Sequence, residues 1–132
     1  MKVMVLVKAS KNSESGAMPL RQKMAEMDKF NDELVKAGIF LVGEGLKPSS
    51  TGVRVRFSGN ERIVTDGPFA ETKELVAGYW IWEVKSMEEA IAWVKRCPNP
   101  MTDDSDIEIR PIWTMEEVEE ALARESQQDQ KR

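Results

Sequence analysis

Histidine is absent from this chain, and cysteine occurs once, at Cys97. No side chain therefore has an unperturbed pKa near neutrality. A histidine-activated nucleophile, a histidine general base and a histidine-ligated metal are excluded within the chain. A single thiol can neither close an internal disulfide nor build a thiolate zinc site. Acid–base chemistry would fall to Asp, Glu, Lys, Tyr or Cys. No cofactor and no transition metal are expected, and only a hard cation held by carboxylates stays open. Long apolar runs are missing as well. The apolar start, Met1 to Lys8, is too short to span a membrane and lacks the small-residue cleavage site of a signal peptide. An excess of positive charge is missing too: the net charge is −4, against the clustered basic surface that a generic nucleic-acid binder needs. The expectation is a cytoplasmic protein with no membrane partner and no direct nucleic-acid partner.

What is present fits one domain. A chain of 132 residues, 41% apolar and 32% charged, can bury roughly two-thirds of its unfolded surface without staples. Residues 1–124 read as that domain. Glu125 to Arg132 is polar throughout and reads as a disordered tail.

Lys2 to Ala9 predicts a strand with both faces apolar, Val3, Val5 and Val7 against Met4 and Leu6. Ser10 to Pro19 reads as a loop, with Pro19 suited to the first turn of the next helix. Leu20, Met24, Met27, Phe30 and Leu34 mark the inner stripe of that helix, with Lys23, Glu26, Lys29 and Glu33 outside and Gly38 ending it. Ile39 to Leu46 is a strand interrupted by Gly43 and Gly45, which mark a bulge or the close approach of another group. Val53, Val55 and Phe57 alternate with Arg54, Arg56 and Ser58. A turn at Ser58-Gly59-Asn60 leads to a short partner strand, Arg62 to Thr65. Asp66 to Val76 is a loop, and Gly78 to Lys85 a strand apolar on both faces. Ser86 with Glu89, and Thr114 with Glu117, match the capping box and open two helices. The first carries Met87, Ala90, Ile91, Val94 and Cys97 and stops at Pro98 and Pro100. The second, short, carries Val118, Ala121 and Leu122. Between them Ile107, Ile109 and Trp113 mark a last strand.

The order β-α-β-β-β-β-α-β-α reduces to βαββαβ with an extra hairpin strand and a C-terminal helix, an α+β ferredoxin-like arrangement. Two helices cover one face of such a sheet. The strands here are apolar on both faces, so two copies stacking their bare faces into a dimeric α/β barrel are expected, making the chain a homodimer.

The most distinctive run is Asp66-Gly67-Pro68-Phe69-Ala70-Glu71-Thr72-Lys73-Glu74. Pro68 fixes its own φ and restricts Gly67, so the loop is rigid. It either aims Asp66 and Glu71 at a cleft, or is a turn in which Asp66 caps backbone amides and Phe69 plugs the core. Glu44, between two glycines, either faces the cleft or is a solvated strand residue. Arg54 and Arg56 either hold an anion or line a solvated edge. Tyr79, Trp80 and Trp82 either line an apolar pocket or pack a core or dimer contact. Cys97 lies on a buried stripe, as an inert thiol does. The candidates for catalysis are Asp66, Glu71 and Glu44. Those for binding a small-molecule ligand are Asp66, Phe69, Glu71, Glu44, Trp80 and Arg54.

Asp66-Gly67-Pro68-Phe69 with Glu71-Thr72-Lys73-Glu74, Gly43-Glu44-Gly45-Leu46 with Pro48-Ser49, Gly78-Tyr79-Trp80, and Ala90 to Pro100 together resemble the YCII-related family of the Asp-Gly-Pro-Phe (DGPF) type. The likeness runs from Lys2 to about Trp113. It implies a ferredoxin-like fold and a dimeric α/β barrel. The family's members are generally uncharacterised. Many are encoded beside extracytoplasmic-function sigma factors, which implies a link to transcriptional signalling. A related dehydrochlorinase-like enzyme uses a His–Asp pair; this chain offers Asp66 for the aspartate and no histidine. Two functions follow as expectations: a small-molecule-binding or enzymatic cleft around the Asp-Gly-Pro-Phe loop, or a non-catalytic dimeric accessory protein.

Overall fold

The computed structural model describes residues 1–130, with the backbone alone for Lys73, Asp129 and Gln130. The elements are β1 (Lys2–Lys8), α1 (Lys11–Glu14), α2 (Arg21–Lys36), β2 (Phe40–Gly45), β3 (Val53–Ser58), β4 (Glu61–Asp66), β5 (Val76–Glu83), α3 (Met87–Arg96), β6 (Ile107–Pro111) and α4 (Met115–Gln130). Single 3₁₀ turns occupy Ser49–Thr51 and Thr72–Glu74.

Four strands pair antiparallel in the order β2-β5-β1-β6, and β3 and β4 form a separate hairpin. That strand order is consistent with the ferredoxin-like arrangement. Within one chain the four-stranded sheet is open, with β2 and β6 as its edges. Alternation in β1 turns Val3, Val5 and Val7 toward the helices, and the register sets them opposite Trp82, Trp80 and Gly78 of β5. Phe30 and Leu34 of α2 and Ala90 of α3 close the core over them. Phe30 meets Trp80, Trp82 and Trp93 edge-on, with ring centroids 6.1, 6.3 and 6.3 Å away. The indole nitrogen of Trp82 is buried with no hydrogen-bond partner among the described residues. Both helices lie on this one face. Met4, Leu6, Tyr79 and Ile81 lie on the other, half-buried only by their own neighbours in the sheet.

The local signals hold in most places. Gly38 follows the last turn of α2 with φ +73°, a conformation that suits glycine. Thr114 and Glu117 form the reciprocal capping box, each accepting from the other's backbone N–H. Ser86 accepts from the Glu89 N–H at 3.2 Å, which is half of the expected box.

Several expectations are corrected. The polar stretch 10–19 contains the short helix α1, opened by a box between Ser10 and Ser13. Pro19 lies outside α2, whose N-cap is Leu20. β5 starts at Val76, two residues before Gly78. Leu20 and Met24, placed on the inner stripe, are exposed. Lys23, placed outside, is half-buried and donates to the carbonyls of Asn99 and Met101 at 3.1 and 2.6 Å. Residues 125–130, read as a disordered tail, continue α4. Glu125, Gln127 and Gln128 are good helix formers, and a helix already capped propagates through them without an apolar face. Residues 131–132 lie outside the described part. No helix among the described residues is long and apolar enough to cross a membrane.

Candidate functional site

Two facing glycines leave a gap on the helix side of the sheet. Gly45 faces Gly78 across the β2–β5 ladder, and Gly43 faces Trp80. Gly45 and Gly78 present no side chain to the layer above, while the place of a Gly43 side chain is taken by the Phe40 and Trp80 rings, 2.9 Å from where its Cβ would lie. The result is a cavity of about 550 Å³, roofed by the first turns of α2, walled by the loop after α1 and by Pro100 to Thr102, and floored by β2 and β5. Its size is that of a small-molecule site.

The helix contributes Lys23, Met27 and Asn31, spaced four apart on one ridge. Val7, Met18, Leu46, Trp80 and Met101 supply apolar surface, and Asn12, Ser13 and Lys47 supply polar groups. Asn31 is oriented: its Oδ1 accepts from the Trp80 indole N–H at 2.9 Å, which leaves its Nδ2 as the donor free for a ligand. The Lys23 ammonium keeps one N–H beyond its two carbonyl partners.

Of the residues singled out from the sequence, Glu44 and Trp80 line this cavity. Glu44 does so at the β2 edge. Its register partner is Tyr79, and alternation with Gly43 and Gly45 turns its carboxylate to the open sheet face. Trp80 serves both the core and the cavity. Asp66, Phe69, Glu71 and Arg54 are not at the cavity. Asp66 ends β4 opposite Val53, exposed, and makes no hydrogen bond or ion pair among the described residues. Its side chain therefore does not cap its own loop.

The Asp-Gly-Pro-Phe loop is a clamp on the turn Ser49–Thr51. The Gly67 N–H donates to the Gly52 carbonyl at 2.9 Å. The Phe69 N–H donates to the Ser49 hydroxyl at 3.1 Å. Glu14 of α1 holds the other side, accepting from the Ser49 N–H at 2.8 Å and from the Ser49 hydroxyl. Phe69 is half-buried rather than a core plug, and the Arg54 guanidinium stacks 3.8 Å above its ring. The Gly67–Pro68 peptide is cis. Cys97 is half-buried, donates to the Pro98 carbonyl, and burial pushes its thiol up to about 12. Among the described residues no cluster of three or more His, Cys, Asp or Glu gathers as a metal site.

Sequence reasoning passed over Lys23, Asn31, Met101 and the Glu14–Ser49 contact. The ridge Lys23-Met27-Asn31, spaced four apart, and the facing strand glycines were the available signals. Only the second was read, as a close approach.

A family model of the YCII-related domain matches residues 1–116. A curated protein of Rhizobium meliloti (strain 1021), described as uncharacterized, is 32% identical over 89 residues, covering 67% of this chain and 72% of that protein.

Proposed function

We propose, from the premise that this chain belongs to the YCII-related family, that it is a cytoplasmic homodimeric protein binding a small, mainly apolar molecule with an anionic end. The observation that carries this reading is the glycine-floored cavity of about 550 Å³, apolar over most of its wall, with Lys23, Lys47 and the oriented amide of Asn31 as its polar groups. Binding is favoured over catalysis. Glu44 is the single carboxylate among the lining residues, and its strand register directs it away, so no acid–base pair converges there. The dimer part rests on the bare sheet face, where Met4 and Leu6 stand opposite Ile81 and Tyr79 with no layer above them. The Asp-Gly-Pro-Phe loop then acts as architecture, holding the turn that leads out of β2.

The test fills the floor. A Cβ at Gly45 meets nothing within 4 Å, so Gly45→Leu is accommodated and projects into the cavity. The probe is 8-anilinonaphthalene-1-sulfonate, an apolar ring system bearing an anion. The parent protein should enhance its fluorescence saturably at one site per chain. Gly45→Leu should abolish that site with its thermal midpoint unchanged. Equal probe binding by both proteins would overturn the cavity reading and leave the accessory-protein reading in its place.

A further inference from the structure

We infer that the cavity selects an elongated organic acid that carries a hydrogen-bond acceptor, a carbonyl oxygen, at the end remote from its anion, and that Asn31 is the residue that reads this acceptor. The inference rests on the proposed small-molecule site and deepens it by naming the ligand's second polar end.

Chemistry fixes which way the Asn31 amide points. An indole N–H donates and accepts nothing. The atom 2.9 Å from the Trp80 nitrogen is therefore the side-chain oxygen of Asn31, and turning the amide over would set N–H against N–H. Trp80 is not free to swing aside. Its ring is buried, with its centroid 6.1 Å from that of Phe30 and 5.6 Å from that of Trp82. The Asn31 Nδ2 is thus held as a donor at the cavity, with no acceptor among the described residues. A half-buried donor left unpaired favours a ligand that brings an acceptor and disfavours one that brings a methylene in its place.

The other end of the ridge is cationic. Lys23 is half-buried, and the carbonyls of Asn99 and Met101 hold its ammonium at 3.1 and 2.6 Å. No carboxylate pairs with it among the described residues. The two carbonyls fix its place without cancelling its charge, and one N–H remains for an anion. Lys47, the other lysine at the cavity, is exposed, so solvent screens it.

The spacing sets the ligand's length. From Lys23 to Asn31 the helix rises by roughly 12 Å, and side chains on one ridge lean the same way, so their tips keep about that separation. A hydrogen bond of roughly 3 Å at each end leaves at least roughly 6 Å between the ligand's polar atoms, the span of one or two aromatic rings. Met27 lies between the two on the ridge, and Met18 and Met101 complete an apolar wall of flexible thioethers that adapts to such a body.

The experiment titrates the full chain with two probes of one shape, 6-acetyl-2-naphthoate and 6-isopropenyl-2-naphthoate, which differ by an oxygen for a methylene. The parent should bind the ketone about tenfold more tightly than the alkene. Asn31→Asp keeps an oxygen for the Trp80 N–H and removes the donor, so the preference should vanish while the near-ultraviolet dichroism of the tryptophans is retained. A preference unchanged in Asn31→Asp would make Asn31 merely structural and overturn the inference. Lys23→Gln should weaken both probes about tenfold and leave their ratio as it is; unchanged affinities would overturn the placing of the anion. In the parent itself, the carbonyl stretch of the bound ketone should fall below its value in an aprotic solvent. A stretch at the aprotic value overturns the inference whether or not either variant folds. Equal binding of the two probes by the parent, abolished by Gly45→Leu, overturns the acceptor end and spares the cavity, whereas binding of neither probe overturns both.

Discussion

A methyl group on Gly67 tests the clamp directly. Its Cβ would lie 1.8 Å from the carbonyl oxygen of Ser49 and 2.7 Å from the carbonyl carbon, where relaxed contact needs about 3.5 Å. Both atoms are backbone, so no side chain can swing aside. Ser49 is held by Glu14 at its N–H (2.8 Å) and at its hydroxyl, while that hydroxyl accepts from the Phe69 N–H at 3.1 Å. A retreat of roughly 1.7 Å, the shortfall against normal contact, breaks at least two hydrogen bonds, those of Phe69 with Ser49 and of Gly67 with Gly52. At about 1 kcal/mol each, with about 1–2 kcal/mol of residual overpacking, Gly67→Ala should cost about 3 kcal/mol. For a chain of this length that lowers the thermal midpoint by roughly 10 °C. The assay is thermal unfolding by circular dichroism, with limited proteolysis of residues 66–75 to detect local opening. Gly45→Ala is the control, because nothing lies within 4 Å of its Cβ, and it should change stability by less than about 1 kcal/mol. A Gly67→Ala protein with an unshifted midpoint and unchanged proteolysis would refute the clamp.

Asp66→Asn should alter stability by no more than about 0.5 kcal/mol in urea unfolding, since the carboxylate is exposed and has no partner among the described residues; a loss of several times that would show that the aspartate is architectural. Phe69→Ala should cost about 1 kcal/mol, well short of a core deletion, because its ring is half-buried and its main contact is the Arg54 guanidinium. With its thiol raised from 9.0 to about 12, Cys97 should react with a disulfide reagent at pH 8 roughly a thousandfold more slowly than in the unfolded chain, and a rate unchanged by denaturation would contradict its burial. The same group works against the fold in alkali: its stabilising neutral form is fully present below pH 9 and is lost as the pH rises toward 12.

The order of strands and helices was legible in the sequence because it depends on near neighbours. Apolar alternation marked β1, the spacing of Met27, Phe30 and Leu34 marked α2, and Thr114 with Glu117 announced α4. Each signal acts within one turn or one pleat, where backbone geometry alone decides which residues share a face. The reading failed where a residue's job depends on elements far along the chain. Lys23 lies in a polar position of its helix, but the carbonyls of Asn99 and Met101 draw it inward. Leu20 and Met24 continue an apolar stripe, yet both are exposed. The Asp-Gly-Pro-Phe run drew notice as a loop able to aim carboxylates. Its role instead depends on Ser49 and Glu14, separated from Phe69 by 20 residues and from Ser49 by 35. Glu44 was rightly placed between small neighbours, but only the pairing with Tyr79 shows which way its carboxylate turns. The glycines were visible one by one. That Gly45 and Gly78 face each other under one helix, and so open a cavity, is a matter of register. A shift of one residue would have turned both away from the helix, and local sequence carries no term for that pairing.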